Sequence, residues 1–215
     1  TGGEYRTDCP LVITIEREYG TGGHEIGEML AAKMGIPFYD YELIQKAAAA
    51  TGFQPEQVRK WEQQLPYGFF YDLYHAAGYD SYRQQTNEEK IFLSQSQVIR
   101  QYAAQGSCVI VGRLGAYVLR GRPYTFDIFL HASYEARSHR AAEQLQISPE
   151  QALSEVKNQD SARKTYCRHF TNCTWGLARH YDLTLDTSVL DAASAAKLIG
   201  ESIAVWSKAQ GEMSI

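Results

Sequence analysis

The stretch VITIEREYGTGGHEIGEML, residues 12–30, constrains the fold of this chain more than any other segment. Its start is apolar and β-branched, as in a strand buried on both faces. Gly20, Gly22 and Gly23 then crowd a turn around Thr21. Ile26, Met29, Leu30 and Met34 recur at helical spacing up to a stop at Gly35. Glycines lack Cβ, so backbone N–H groups can converge and, with the helix N-terminus behind them, form a nest for an anion. This is the layout of a phosphate-binding loop, and the same glycines also suit a plain tight turn. The lysine of such a loop is missing: Gly23 holds its place, and His24 stands where Ser or Thr is usual. Lys33 lies ten residues past Gly23, more than two helical turns away, and cannot reach back. Arg17 opens the loop and can present a bidentate guanidinium to phosphate, or can pair with Glu16 or Glu18. His24 is a poor substitute for an ammonium. Thr21 is the nearest hydroxyl for a nucleotide-bound Mg²⁺.

Strand and helix signals alternate beyond this unit. IPFYD is a short strand ending at Asp40, followed by helical patterns over 41–50 and 54–65. Residues 66–86 are crowded with Tyr and Phe and have no clear period. Residues 88–105 return to helix, SCVIVGR is the strongest central-strand signal, and 124–130 is another strand. Helices are expected over 134–145 and 149–170, a last strand at YDLTLDT and a closing helix over 192–206. Such alternation means right-handed parallel βαβ units: an α/β fold with a five-stranded parallel sheet and helices on both faces. A ligand belongs beyond the carboxyl ends of the strands, where Arg17, Asp40, Arg113 and Asp186 all fall.

Composition narrows the partners. The chain has 215 residues, 44% of them hydrophobic, enough for one core; its formal net charge of −4 argues against polymeric nucleic acid or an anionic membrane as partner. No apolar run approaches the ~20 residues that cross a bilayer. The opening TGGEYRTDCP lacks a signal-peptide core. Cys9, Cys108, Cys167 and Cys173 show no CxxC spacing, and Cys167, Cys173 and His169 do not make a four-ligand zinc set. Free thiols in a reducing cytoplasm fit better than disulfides.

Several separated motifs carry a family likeness. ITIEREYGTGGHEIGEMLAAKMGIPFYDYELI resembles the opening of the cytidylate kinase-like family, a branch of the P-loop nucleoside monophosphate kinases. That opening has a strand, an Arg-Glu-x-Gly-Ser/Thr-Gly-Gly loop, a helix and Pro-Phe-Tyr-Asp. SCVIVGRLGAYVL is similar to the family's strand–Gly-Arg segment. HASYEARSHR with QDSARKTYCRHFTNCTW resembles its lid, and YDLTLDTSVL its last strand and base-side loop. The likeness covers most of the chain apart from 53–86. It implies a single P-loop kinase domain over 1–215, with an acceptor arm near 41–105 and a helical lid near 148–178. It implies a cytoplasmic enzyme that uses ATP and Mg²⁺ to phosphorylate a nucleoside monophosphate, CMP or dCMP. The lysine is absent from this branch generally, and His24 stands where many relatives have Arg.

Phosphoryl transfer needs alignment and positive charge more than covalent help. The candidates for transfer are Arg17, Arg137, Arg140, Arg163 and Asp160; for the donor nucleotide, Gly20, Thr21, Gly22, Gly23, His24 and Thr187; for the acceptor, Tyr39, Asp40, Gln95, Gly112 and Arg113. The metal ligands are left open. The resemblance puts Arg113 on the acceptor phosphate, Arg137 near the adenine and Arg163 over the transferring group. Plainer fates exist for each. Arg113 can cap a helix or pair with Asp127, Arg137 and Arg140 can form a solvated face with Glu135 and Glu143, and Arg163 can pair with Asp160. Asp40 can act as base toward a hydroxyl acceptor, bind a CMP acceptor or the Mg²⁺ shell, or simply cap the helix that follows. Asp186 can cap the last helix or help frame the adenine. The Tyr-rich segment can stack on a base, pack on the helices, or mediate self-association. Two rival functions follow: a small-molecule hydroxyl kinase with Asp40 as base, and a catalytically silent nucleotide-binding protein.

Overall fold

Five strands account for the sheet: β1 (Val12–Arg17), β2 (Phe38–Tyr39), β3 (Cys108–Val111), β4 (Thr125–His131) and β5 (Leu183–Asp186). All are parallel, in the order β2-β3-β1-β4-β5. The computed structural model describes residues 9–40, 87–112 and 114–213. The helices expected over 41–50 and 54–65, the Tyr-rich segment and Arg113 lie outside the described residues. The described helices are α1 (Gly23–Met34), α2 (Asn87–Gln105), α3 (Gly115–Val118), α4 (Tyr134–Leu145), α5 (Pro149–Thr171) and α6 (Ala192–Met213). Among them none is long and apolar enough to cross a membrane.

Period-two alternation along β1 sorts the core into two layers. Ile13 and Ile15 face α1 and α6, packing with Ile26, Leu30, Ile128, Leu130, Ile199 and Ile203. Val12 faces the other way, with Ile110, Ile99 and Val118. Each fully buried aliphatic side chain contributes about 1.5–3 kcal/mol. These two layers hold β1 at the centre of the sheet, so the loop that leaves its carboxyl end starts from a fixed point.

Local signals set the helix ends. Ser148 accepts from the Gln151 amide while the Gln151 side chain accepts from the Ser148 amide, a reciprocal cap that starts α5 with Pro149 in its first turn. Ser133 caps α4 by accepting from the Ala136 amide. The cap of α6 differs from expectation. Asp191, not Asp186, accepts from the Ser194 amide. Asp186 accepts instead from the amide and hydroxyl of Ser188, which hold its carboxyl below the usual range. The closing helix continues past Trp206 to Met213, and the short α3 and a 3-10 turn at Ala178–His180 had no clear sequence signal.

Candidate active site

The loop between β1 and α1 turns through Gly20 and Gly22, both at positive φ (80° and 78°). Gly20 is doubly constrained, because a Cβ there would lie 2.7 Å from the carbonyl oxygen of Arg137. The loop's carbonyls are accounted for one by one. Arg163 donates to the carbonyl of Arg17 at 2.7 Å. The Thr21 hydroxyl donates to that of Glu18. Arg137 donates to Tyr19, Arg140 to Gly20 and the Thr187 hydroxyl to Thr21. The Gly22 carbonyl takes the first helical bond, from Ile26. Six successive carbonyls are thus bound: four by side chains outside the loop, one by Thr21 within it and one by the helix. Among the described residues, nothing accepts from the amides of Gly20, Thr21, Gly22 and Gly23. Amides without protein acceptors, at the start of a helix whose cap has no side-chain hydrogen bond, are what an anion nest requires.

The donors that hold this loop were expected to do other work. Arg137 was assigned either to the adenine or to a solvated face. It is 2% exposed. Its Nε donates to the Ala132 carbonyl and lies 3.3 Å from Glu18, and its Nη1 meets Asp160 at 2.6 Å. Asp160, also 2% exposed, accepts the Tyr19 amide with its other oxygen. Asp160 is therefore held by Arg137 and the loop, not by Arg163 as the spacing had suggested. Arg140 bonds the carbonyls of Gly20, Thr187 and Leu190 and leaves the face with Glu143 unmade. Thr187, a candidate for the nucleotide, is fully buried with its hydroxyl on the loop backbone. Arg163 lies over the Tyr19 ring at 5.5 Å. Glu18 was overlooked except as a partner for Arg17. Its carboxylate accepts from the Ala132 amide and faces Arg137, a role no local pattern announces.

Arg17 does not pair with Glu18. Its Nη2 lies 3.8 Å from Asp40, which in turn meets His24 Nδ1 at 2.7 Å. The stem of Arg17 runs along Gly23 and its guanidinium lies on Gly112, so the side chain spans from the start of α1 to the end of β3. Glu16, one residue earlier, points to the opposite sheet face. Burial raises its pKa, opposed by the charges of Arg17 and Arg163. Of the acceptor candidates, Tyr39 stacks on Tyr102 at 3.7 Å between centroids. Gln95 is fully buried and accepts from the Tyr166 hydroxyl, joining α2 to α5.

A nucleotide-borne Mg²⁺ draws most of its ligands from phosphate and water, with one or two protein carboxylates. Thr21 does not suit this use: it is 2% exposed and its hydroxyl is spent on Glu18. Asp40, a partly exposed carboxylate beside Arg17 and His24 at the mouth of the loop, does fit. No group of three His, Cys, Asp or Glu suited to a metal occurs among the described residues.

Comparison with known proteins bears on the family and the fold. Residues 12–189 match the profile of the cytidylate kinase-like family. A cytidylate kinase of Methanocaldococcus jannaschii is 27% identical over 196 residues, covering 90% of this chain and 97% of that protein. A crystal structure of an uncharacterized protein from Eubacterium ventriosum superposes with a TM-score of 0.67 at 25% identity, covering 90% of this chain and 98% of that one. A gluconokinase from Sinorhizobium meliloti shares the fold at a TM-score of 0.58 and 15% identity, covering 96% and 98%.

Proposed function

The chain belongs to the cytidylate kinase-like family of phosphotransferases, and from that premise we propose that it transfers the terminal phosphoryl group of ATP to CMP or dCMP. The observation that carries this reading is the loop itself, with six carbonyls engaged and four successive amides left for polyphosphate. In the transfer, an ionised oxygen of the acceptor phosphate attacks the γ-phosphorus as the bond to the β-bridging oxygen breaks, giving ADP and CDP. No base is needed, so this chain's task is alignment and charge. Gly20 to Gly23 hold the donor phosphates, Arg17 stands between donor and acceptor, and Arg113 takes the acceptor phosphate. Asp40 would hold a nucleotide-borne Mg²⁺, which would supply positive charge at the donor phosphate oxygens. Arg137, Arg140 and Asp160 act through the loop and do not touch substrate.

A second reading is supported by the placement of Asp40 at the carboxyl end of β2, bonded to His24 and facing Arg17. There it could take the proton of a hydroxyl acceptor. A phosphotransfer panel with CMP, dCMP, UMP, AMP and small polyols, each with ATP and Mg²⁺, separates the two. Turnover is expected with CMP or dCMP. Turnover with a polyol and never with a nucleotide would transfer the assignment to the second reading, and ATP binding without turnover on any acceptor would leave a silent nucleotide-binding protein.

A further inference from the structure

Gly20 and Gly22 have a backbone reason to be glycine, whereas Gly23 does not, being absent from the residues at positive φ. Glycine at a helical position is less favourable than alanine if nothing compensates. The compensation here is space. A Cβ at residue 23 would lie 2.8 Å from Cγ of Arg17, 3.2 Å from its Cβ and 3.4 Å from its Cδ. Cβ is fixed by the strand backbone, and Cγ can leave only by a change of χ1 rotamer, which would also carry the guanidinium away from Gly112 and Asp40. At the far end the guanidinium of Arg17 lies against Gly112, which sits at positive φ (78°) and so has a backbone reason to be glycine as well. Two glycines from two different loops therefore bracket one arginine, which ends beside Asp40 at 3.8 Å.

We propose that Arg17 and a lysine at position 23 are mutually exclusive solutions for one space, and that Arg17 is the cation of this loop because its stem occupies the volume in which a residue-23 side chain would begin. The lysine is then not simply lost. A cation entering from the strand has displaced a cation entering from the helix, and Gly23 and Gly112 are the room it needs. The entry point has a chemical consequence. The guanidinium is carried across the loop to the end of β3, between the donor amides and Asp40, where two planar donors can bridge donor and acceptor oxygens. The steric part stands on the structure alone; the role of the cation rests on the reading of the loop as an ATP site.

The two parts are tested separately in the full chain. In the ligand-free protein, Gly23→Ala is introduced into wild type and into Arg17→Ala. It is expected to lower the unfolding midpoint in wild type by about 2–8 °C and to have little effect, or a stabilising one, where Cγ is gone. An equal drop in both backgrounds overturns the steric claim. ATP·Mg²⁺ affinity is then measured for wild type, Arg17→Ala, Gly23→Lys and the double variant Arg17→Ala/Gly23→Lys. Each single variant is expected to lose about tenfold or more, including Gly23→Lys, which adds positive charge. The double variant is expected to bind more tightly than either single. Undiminished binding by Gly23→Lys with Arg17 present, or a double variant no better than its singles, overturns the exchange. If wild type binds no ATP, the site assignment and the cation's role both fall, and the midpoint comparison alone decides the steric claim.

Discussion

Arg137 and Asp160 form a buried ion pair 23 residues apart, each with further bonds to the loop. Two charges removed from water are tolerated here because two carbonyls, an amide and the Glu18 carboxylate bond or face them, and the Tyr134 ring lies 4.6 Å from the guanidinium carbon. Removing Asp160 leaves the buried guanidinium with Glu18 as its one remaining counter-charge among the described residues and the Tyr19 amide without an acceptor. Asp160→Ala is accordingly expected to cost about 2–4 kcal/mol in urea unfolding. Asp160→Asn keeps an acceptor for the amide and should cost less. An Asp160→Ala protein as stable as wild type would mean that the pair does not hold the loop.

At the scale of elements, the position of α1 depends on its approach to the sheet. Gly27 lies on the buried face of α1, where a Cβ would sit 2.8 Å from a methyl of Val111 and 2.9 Å from the Phe38 ring. Helix propensity alone would favour alanine there by about 0.8–1 kcal/mol. Close packing against β2 and β3 reverses the sign, and Gly27→Ala is expected to destabilise by about 1–3 kcal/mol in thermal unfolding. Because α1 begins at the proposed anion nest, the same variant should also reduce stabilisation by ATP. A stabilised Gly27→Ala protein would show that the helix has slack against the sheet. On the other side of the loop, α5 is docked on α4 through Ala152, Val156 and Ala141, and its middle is tied to the loop by Asp160. The proposed lid therefore has an anchored half.

Across the whole molecule, the sheet face away from α1 carries a half-open polar cleft of about 350 Å³, lined by Glu16, Asp127, Arg120 and Tyr181 among others. Burial pushes the Asp127 carboxyl up to about 6, opposed by the Thr14 hydroxyl that donates to it and assisted by the charges of Asp182 and Glu16. Burial raises Glu16 as well, and among the described residues its Oε1 has no hydrogen-bond partner. A carboxyl raised in the folded state holds its proton where the unfolded chain, near 3.9, has released it. Stability then falls as pH rises from about 4 to about 6, by an amount on the order of 2–3 kcal/mol for Asp127, and stays low above that. Asp127→Asn keeps an acceptor for Thr14 and should stabilise the protein at pH 7–8, flattening the slope between pH 4.5 and 6.5 apart from a residue due to Glu16. Parallel urea midpoints for the two proteins over that range would contradict this account.

Much of the scaffold was legible from residues alone. Buried β-branched runs, the glycine turn after the first of them, the Ser148–Gln151 box and the alternation of strand and helix all express forces acting within a few residues. Those forces place a loop at the end of β1 and an arginine at its mouth. They could not say which arginine binds what. Arg137 and Arg140 sit three apart among glutamates and look like a surface, yet their partners are loop carbonyls 118 and 120 residues earlier in the chain. The contact of Arg17 with Gly23 and Gly112, and the pairing of Asp40 with His24, arise only after β2, β3 and β1 come side by side. Periodicity and propensity are local, whereas desolvation and the choice of a charge's partner depend on neighbours that only the assembled sheet supplies.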